Sequence, residues 1–377
     1  MPAGTKAAVL KVAIVGCGKI ADAHAMQIRR IKDCAIVGVC DREPLMARQL
    51  ADRFPVQECF NNVTDLLNQA RPDVVHITTP PQGHFDIARE CLEGGCHVYV
   101  EKPFTLDYAE ARRLIALARE RRLKITVGHD DQFSHVARRM RALVGSGYLG
   151  GAPVHMESYY VYELGGSYVA ALMGDKHHWV RRLPGKLLHN IISHGIARIA
   201  EFMTSDSPEV IAYGFTSPYL KNMGETEIVD ELRVIVSEES GMTAYFTFSS
   251  QMRPDIHQFR VYGPQNGLIV DQDQETLIKL SGARSVSYLE KFVPPVVSAK
   301  QQLGNLATNL RTFLARDFHM KAGMKFLIES FYRAIREGAA DPISHREILL
   351  TAKIMDAIFQ QINSRAARRE QRETIAL

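Results

Sequence analysis

V-L-K-V-A-I-V-G-C-G-K-I-A, residues 9–21, has the pattern of a buried strand that breaks into a glycine turn and then a helix. The turn matches the dinucleotide-binding pattern G-x-G-x-x-G/A in its expected strand-to-helix context. Gly16 permits a tight turn, Gly18 lets a pyrophosphate approach the backbone, and Ala21 allows the helix to pack closely on the strand. The helix that begins near Lys19 and Ile20 offers unpaired N–H groups to phosphates. An ordinary strand–turn–helix shows the same pattern, so the assignment needs support from the rest of the chain.

Length and composition indicate two globular domains. The chain has 377 residues, 46% of them hydrophobic and 23% charged, which is typical of a soluble protein. No run of 18 or more apolar residues suggests a membrane span. Lys6-Ala7-Ala8-Val9 runs directly into the first strand with no signal-peptide pattern before it. We therefore expect a cytoplasmic protein with no membrane partner.

Charge and cysteine content exclude two further classes of protein. The net charge is +4 and the basic residues are spread out, apart from the run Arg365-Ala366-Ala367-Arg368-Arg369, which we interpret as a solvated helix end. We therefore predict no nucleic-acid partner. The six cysteines show no C-x-x-C spacing, which favours reduced and mostly buried thiols.

A second apolar run, residues 34–40, ends in Asp41. This acid lies about twenty residues past the glycine turn, where the dinucleotide pattern expects a carboxylate for the ribose hydroxyls. The alternative is a strand-end Asp that caps the next helix. Asp41 favours NAD because its charge would repel a 2′-phosphate, whereas Arg42 could pair with that phosphate, so NADP stays an alternative.

Strand and helix patterns alternate through residues 1–128. The predicted strands beyond the first two lie at 73–79, 97–100 and 124–128, and the predicted helices at 20–31, 83–92 and 106–121. Short connections between alternating strands and helices define a Rossmann-type doubly wound α/β domain.

The pattern changes over residues 129–377. Polar and apolar residues alternate in predicted strands at 154–162, 209–215, 228–236, 242–249, 257–263 and 268–271. This predicts an α+β domain with an open, mainly antiparallel sheet and helices on its other face. Predicted helices cover 134–143, 186–203, 323–336 and 345–364, the last two packing back on the body. Residues 293–316 are poorly patterned and suit a lid, an arm or a subunit contact.

Two short stretches carry candidate chemistry. Glu101-Lys102-Pro103 follows a parallel strand, at the edge where doubly wound sheets bind ligands, so Lys102 is a candidate proton carrier. A surface lysine paired with Glu101 is the alternative. On a continuous helix, Asn190 and His194 share one face, and His194 could exchange a proton with a substrate hydroxyl. A structural histidine is the alternative there.

The sequence resembles the Gfo/Idh/MocA oxidoreductases, the glucose-fructose oxidoreductase and inositol dehydrogenase family. The resemblance rests on G-C-G-K-I-A at 16–21, T-P-P-Q-G-H at 79–84, E-K-P at 101–103 and the helix that carries His194. It implies NAD(P)-dependent oxidation or reduction of a sugar, cyclitol or related carbinol. It also implies that Lys102 and His194 lie near the reacting carbon and that Thr79, Pro80 and His84 lie along the cofactor.

The chain departs from the family pattern at two places. Asn190 stands where the family usually has Asp, and because Asn cannot exchange protons, it can only orient the substrate or His194. Asp130-Asp131-Gln132-Phe133 replaces the usual N-x-R-F and removes a cation. We therefore expect an unusual substrate pocket.

A loop at residues 175–184 contains the only tryptophan of the chain. Trp179 could stack on a sugar face while Arg181 or Arg182 binds a carboxylate or phosphate. A solvated basic loop is the alternative. A metal site at His177 and His178 is not favoured, because adjacent side chains diverge and no further ligand has suitable spacing. No metal site is predicted.

The sequence therefore predicts an NAD(P)-dependent dehydrogenase that moves a hydride between nicotinamide and a secondary carbinol of a sugar-like small molecule. Two alternatives stay open. One is an enzyme with tightly bound NAD that oxidises its substrate transiently during elimination, epimerisation or glycoside cleavage. The other is a sensor without catalysis, because fold alone does not fix function. The resemblance further implies a homo-oligomer, a dimer or a tetramer, paired through the open sheet.

Overall fold

The chain forms two compact units. The computed structural model describes residues 9–163, 172–282, 288–319 and 321–375, with the side chains of 290 and 366–375 left aside. One unit comprises Met1–Asp130 and Gly323–Ala352, and the other comprises Asp131–Ala322 and Lys353–Leu377. We retain the predicted domain limits, 1–128 and 129–377, as a proposal beside these units. Residues 6–8, used above in the expectation of no signal peptide, lie outside the described residues. The same holds for the side chains of 366–369, used in the interpretation of the basic run as a helix end.

The N-terminal unit contains a parallel sheet in the order β3-β2-β1-β4-β5-β6. Its strands are β1 (Leu10–Val15), β2 (Cys34–Cys40), β3 (Cys59–Phe60), β4 (Val74–Ile77), β5 (His97–Val100) and β6 (Ile125–Val127). The helices between them are α1 (Lys19–Ile28), α2 (Pro44–Arg53), α3 (Val63–Ala70), α4 (His84–Glu93) and α5 (Tyr108–Glu120). The predicted doubly wound α/β domain is confirmed.

Burial explains why strands β4 and β6 of this sheet are mainly apolar. Every residue of β4 and β6 is buried, as expected for parallel strands covered on both faces. β1 and β4 are neighbours in the sheet. From β1 the chain continues through β2 and β3 toward one edge, and from β4 it continues through β5 and β6 toward the other edge. Ligands of such sheets bind at the carboxyl ends of the strands near this point. The two-residue strand β3 is too short to show a sequence pattern and was not predicted.

The second unit contains a sheet in the order β13-β12-β11-β7-β10-β9-β8. Its elements up to residue 314 are α6 (His135–Gly145), β7 (His155–Val161), α7 (Lys186–Ile191), α8 (Ser193–Phe202), β8 (Glu209–Phe215), α9 (Pro218–Asn222), β9 (Glu231–Ser237), β10 (Thr243–Ser249), β11 (Ile256–Tyr262), β12 (Asn266–Asp271), β13 (Thr276–Ser281) and α10 (Val293–Leu314). β7 and β10 pair in parallel and the other neighbours are antiparallel. The predicted open, mainly antiparallel sheet is confirmed.

One face of this sheet is covered by α8. Ala244, Phe246 and Phe248 of β10 are buried, while Tyr245, between Ala244 and Phe246, is exposed, so β10 has one covered face and one open face. A Cβ on Gly195 would lie 2.3 Å from the Phe246 ring, so only glycine allows α8 this close to the strand. Ser158 of β7 donates a hydrogen bond to the Gly195 carbonyl at 3.0 Å. The start of α8 is thereby fixed over the sheet.

The last two helices are α11 (Ala322–Glu337) and α12 (His345–Ile375). Most of α11 packs on the parallel sheet, where Phe331 and Tyr332 are fully buried. The Arg336 guanidinium donates to the Asp33 carbonyl, and Lys124 forms an ion pair with Asp341 at 2.9 Å. Residues 323–352 therefore belong to the N-terminal unit although they follow the second sheet in the chain.

One prediction about the second unit is wrong. Residues 186–203 form two helices rather than one, because the helix is interrupted at Ile192 between α7 and α8. Asn190 and His194 lie on either side of this interruption, and their place on one face stays a prediction. Residues 293–314, where the sequence is poorly patterned apart from a possible helix start, form one long helix. Across the described residues, the helices are all too short or too polar to cross a membrane.

Candidate functional site

The glycine turn after β1 requires glycine at residue 16. Gly16 has φ +93°, and a Cβ there would lie 2.7 Å from the Thr79 nitrogen. Its N–H donates to the Cys40 carbonyl at 2.8 Å, and its carbonyl accepts from the Thr78 hydroxyl at 2.5 Å. The turn is therefore fixed between the ends of β2 and β4.

Gly18 leaves the start of α1 accessible. It is the N-cap of the helix, no side chain caps it, and a Cβ at Gly18 would meet no heavy atom within 4 Å. The first N–H groups of a helix lack partners within the helix and bind anions. Lys19 is exposed and Ile20 is half-buried at this end. A diphosphate fits here because nothing but hydrogen projects from Gly18.

Asp41 connects the end of β2 to the glycine turn. Its Oδ2 accepts a hydrogen bond from the Cys17 nitrogen at 2.7 Å, and its Oδ1 accepts from the Glu43 nitrogen at 2.9 Å. The carboxylate is thus held beside the turn in a fixed orientation. Arg42 is exposed. Asp41 lies at the strand end where the sequence predicts a ribose contact. It does not cap the next helix, because Glu43 is the N-cap of α2 and no side chain caps that helix.

The loop after β4 is joined to the E-K-P segment by a buried histidine. The two ring nitrogens of His84 lie 2.9 Å from the carbonyls of Thr79 and Pro103. Burial lowers the pKa of His84, and the carbonyls of Thr79 and Pro103 oppose this effect. Thr79 is half-buried and Pro80 is exposed at the turn. The fully buried ring of His84 positions these loops, and its predicted place along the cofactor stays a prediction.

Glu101 is a buried carboxylate at the end of β5. Its Oε1 lies 2.8 Å from His24 Nε2, and its Oε2 accepts from the Lys102 nitrogen at 3.1 Å. Burial by itself raises the pKa of Glu101, but the hydrogen bond and charge of His24, together with Lys102, lower it to about 2. A Cβ on Gly128 would lie 2.8 Å from Oε1, so glycine leaves the space for this carboxylate. Glu101 therefore stays ionised and fixes the backbone of half-buried Lys102.

The His24–Glu101 pair is one end of a buried chain of hydrogen bonds. His24 Nδ1 lies 2.8 Å from His76 Nδ1, and His76 Nε2 lies 2.8 Å from the Tyr332 hydroxyl. The pKa of His76 is well below its ordinary value because burial and the neighbouring His24 disfavour a charge. Burial raises the pKa of Tyr332, which keeps its proton and can donate to His76. His76 then donates through Nδ1 to His24, and His24 donates through Nε2 to Glu101, so each bond in the chain has one donor and one acceptor.

A second cluster surrounds Asp131 in the other unit. Arg198 Nη2 donates to Asp131 Oδ2 at 3.3 Å, and His194 Nδ1 lies 3.8 Å from the same oxygen. Tyr160 stacks on His194 with 6.3 Å between ring centroids, and its hydroxyl lies 3.5 Å from Asp131. His257 meets the Tyr160 ring edge to face at 4.5 Å.

The charges in this cluster keep Asp131 ionised. Burial raises the pKa of Asp131, but His194 and Arg198 outweigh it and lower the pKa to about 2. Gln272 donates to the Asp131 carbonyl at 2.6 Å, which holds the turn at 130–133. The cation that this turn lacks is supplied instead by Arg198, one helical turn beyond His194 on α8.

The residues predicted to bind substrate lie in different surroundings. Asn190 is half-buried near the end of α7, and Trp179 is half-buried beside His178. Arg181 donates to Glu225 at 2.6 Å and to the Leu172 carbonyl at 3.0 Å. Its guanidinium is therefore occupied by the protein itself. Arg182 is exposed, so of the two arginines it is the one that faces solvent.

The sequence pointed to Asp131 only as part of the turn at 130–133, and it gave no role to six other residues that support these sites, which are His24, His76, Tyr332, Tyr160, Arg198 and His257. Arg198 had a local signal, because a spacing of four residues from His194 places both on one helix face. The others had none, since their partners lie far away in the chain. His76 and Tyr332, for example, are 256 residues apart.

Residues 10–129 match the oxidoreductase family model Gfo/Idh/MocA, described as an NAD-binding Rossmann fold. Residues 10–129 are therefore similar to the NAD-binding domain of the Gfo/Idh/MocA oxidoreductases. The predicted resemblance to this family and the predicted NAD cofactor are thereby confirmed. That Gly16 and Gly18 contact the diphosphate and Asp41 the ribose of the dinucleotide stays a prediction.

Named relatives and solved structures agree with this assignment. D-glucoside 3-dehydrogenase of Escherichia coli strain K12 is 31% identical over 37% of this chain and 40% of that protein. UDP-N-acetylglucosamine 3-dehydrogenase of Acidithiobacillus ferrooxidans is 34% identical over 40% of this chain and 44% of that protein. The chain thus aligns with less than half the length of either relative.

The likeness in fold extends further than the likeness in sequence. The WlbA dehydrogenase from Bordetella pertussis, solved with NADH and UDP-GlcNAcA, superposes with a TM-score of 0.76. It is 16% identical, and the match covers 95% of this chain and 96% of that one. The likeness in fold therefore covers the second sheet as well as the Rossmann domain.

Proposed function

We propose that this protein is an NAD(P)-dependent oxidoreductase that transfers a hydride between nicotinamide and a secondary carbinol of a sugar, cyclitol or sugar derivative. The observation that carries the proposal is the fixed position of Lys102. Buried Glu101 holds its backbone at the carboxyl end of β5, in the sheet whose first strand ends in the glycine turn. This edge is where doubly wound sheets bind ligands. The names of the glucoside and UDP-N-acetylglucosamine dehydrogenases support the substrate class.

The residues divide the chemistry between them. Bound NAD(P)⁺ supplies the hydride acceptor. Lys102 takes the hydroxyl proton as the C–H hydride leaves, and the carbinol becomes a carbonyl. His194 assists the proton transfer, held in orientation by Asp131, and Asn190 orients the hydroxyl without exchanging a proton. In the reducing direction Lys102 returns the proton to the carbonyl oxygen.

Contacts with the remainder of the substrate fall to the loop at 175–184. Trp179 is half-buried and offers a ring for stacking on a sugar face. If the substrate carries a carboxylate or phosphate, Arg182 is the residue to bind it. Arg181 would first have to leave its buried pair with Glu225.

Turnover of the variants Lys102→Met and His194→Ala tests the assignment. Sugars, uronates, cyclitols and nucleotide sugars are supplied with NAD or NADP, and reduced nicotinamide is followed by its near-ultraviolet absorbance. We expect Lys102→Met to lose turnover by roughly 10²–10⁴-fold, the range for removing a general acid–base. Lys32→Met, at an exposed lysine, is the matched control. Unchanged turnover in both site variants would overturn the roles.

The same assay separates the two alternative functions. Substrate conversion without net reduced nicotinamide would identify an enzyme that oxidises its substrate transiently. Ligand binding with no conversion by the wild type would identify a sensor. The cytoplasmic location remains a prediction.

We also propose that the open face of the second sheet pairs with a second copy of the chain. Ile211, Ile235 and Tyr245 are cross-strand neighbours on β8, β9 and β10 and are exposed by 50%, 44% and 49%. An exposed apolar row of this kind is typical of an interface. The Tyr245→Glu variant is expected to form a smaller assembly, with a lower molecular mass in solution, than the wild type.

A further inference from the structure

Helix α10 contacts its own sheet through polar side chains. Asn305 accepts from the Leu277 nitrogen at 3.2 Å and donates to the Leu277 carbonyl at 3.1 Å. Gln301 does the same at Lys279, at 2.7 and 3.1 Å. These side-chain amides take the place of a neighbouring strand along the outer edge of β13. The face that α10 turns toward the protein is therefore its polar face.

The opposite face of α10 is apolar and exposed. Six large side chains form a row on this face, with their exposed fractions: Phe292 directly before the helix (68%), Val296 (69%), Leu303 (67%), Leu306 (55%), Leu310 (53%) and Phe313 (65%). Val293 (42%), Val297 (47%) and Leu314 (78%) are also exposed, each next to a member of the row in the sequence. Surface helices of globular proteins bury the apolar face and expose the polar one. The orientation of α10 is the reverse, which indicates that something covers its outer face.

The residues of this row follow a heptad repeat. With Ala299 included, successive positions are separated by 4, 3, 4, 3, 4 and 3 residues from Phe292 to Phe313. Val296, Leu303 and Leu310 occupy one core position of the heptad, and the other members occupy the second. A spacing of 3.5 residues keeps one seam facing another helix along the full length of α10.

We infer that α10 forms a two-stranded antiparallel coiled coil with α10 of a second copy of this chain. A two-fold axis between Leu303 and Leu306 places Val296 opposite Phe313 of the other copy, and Ala299 opposite Leu310. Small residues of one copy then lie opposite large residues of the other, so the side chains pack the seam without cavities. Antiparallel helices also oppose their dipoles.

The size of the seam favours a second copy as its occupant. At these exposures, the six large side chains present roughly 800 Å² of apolar surface, about what each partner buries in an interface of standard size. Helix α10 contains no acidic residue, and its two charged residues, Lys300 and Arg311, lie outside the seam. Residues 293–300 are exposed on every side, and so short a helical segment is marginal alone in water. Pairing explains how this segment is held.

The first test is the solution mass by analytical ultracentrifugation. Leu303→Glu/Leu310→Glu places two charges in the seam and is expected to halve the mass of the wild-type assembly. Ser298→Glu/Gln302→Glu adds the same charge to the same helix outside the seam and is expected to keep the wild-type mass. A monomeric wild type, or a seam variant of wild-type mass, would overturn the inference. The Tyr245→Glu variant changes a different surface, so the two interfaces are distinguished by which variant loses mass.

The second test reads the helix direction by disulfide cross-linking, with exposed Cys59 replaced by serine. Ala299→Cys/Leu310→Cys is expected to form a covalent dimer under mild oxidation. Each single cysteine variant is expected to stay uncrosslinked, because the antiparallel register places it opposite a residue without a thiol. Cross-linking of Ala299→Cys alone would indicate parallel helices and overturn the antiparallel pairing. Retained NADH binding in each variant shows that the protein is folded.

Discussion

Glu101 Oε1 lies 2.8 Å from Nε2 of His24, and both side chains are buried. Helix α1, which begins at the glycine turn, is thus joined to the segment that carries Lys102. The cofactor-binding end of the sheet and the candidate proton carrier share one hydrogen-bonded network. A substitution at one of these positions should therefore affect the other.

Removing His24 should destabilise the protein strongly. His24→Ala leaves the ionised Glu101 buried without its main partner, and we expect a loss of about 3–5 kcal/mol in the free energy of unfolding. Urea denaturation measures it. The double variant His24→Ala/Glu101→Gln no longer buries an unpaired charge and should lose less than the sum of the single changes. Strict additivity would show that the pair is not coupled.

Stability should fall in acid because of Glu101. Its folded-state pKa of about 2 lies below the ordinary value of 4.5, so the stability that this group contributes is complete above pH 4.5 and is lost as the pH falls toward 2. Glu101→Gln should have a flatter stability profile over this window. Denaturation at a series of pH values gives both profiles. Parallel profiles for wild type and variant would contradict the low pKa.

Two glycine substitutions should separate folding from cofactor binding. Gly16→Ala forces a Cβ against the Thr79 backbone at a positive φ, and we expect it to cost about 1–3 kcal/mol of stability as well as NADH binding. Gly18→Ala meets no protein atom, so it should keep stability and weaken NADH binding by blocking the approach of the diphosphate. Thermal unfolding and fluorescence titration with NADH measure the two effects. Equal losses of stability would refute the distinction.

Asp41 should control the choice of dinucleotide. Asp41→Asn removes the negative charge and keeps an oxygen acceptor for the Cys17 nitrogen, so we expect the preference for NADH over NADPH to fall roughly tenfold, about 1.4 kcal/mol. Dissociation constants for both cofactors test this. Arg42→Gln is the matched control for the neighbouring cation. An unchanged ratio in Asp41→Asn would mean that this carboxylate does not contact the ribose.

Asp131 should act on kinetics through His194. Asp131→Asn removes the charge beside the His194 ring, and we expect the acidic limb of the pH profile of kcat/KM to shift toward lower pH, because the protonated ring loses its anionic partner. Steady-state rates across pH measure the shift. Tyr160→Phe, which removes only a hydroxyl from the cluster, should leave the limb in place.

The sequence by itself determined the Rossmann domain, the mainly antiparallel second sheet and the approximate place of the cofactor. Periodicity and glycine spacing are local features of the sequence. The turn at 16–21, the acid at 41 and the E-K-P segment can therefore be identified without knowing what they contact in the folded protein. The same local reasoning joined residues 186–203 into one helix, because it could not detect the break at Ile192.

Only the tertiary structure decided what surrounds the candidate chemistry. His24 meets Glu101 across 77 residues of chain and Tyr332 meets His76 across 256, and no local pattern reports such distances. The folded chain also revealed that Arg181 is committed to Glu225 and that Arg198 accompanies Asp131. For α10 the sequence was poorly patterned, and the heptad became evident only once the structure showed which apolar side chains face away from β13. The burial of a side chain depends on the residues that pack around it, and these come together only when the chain folds.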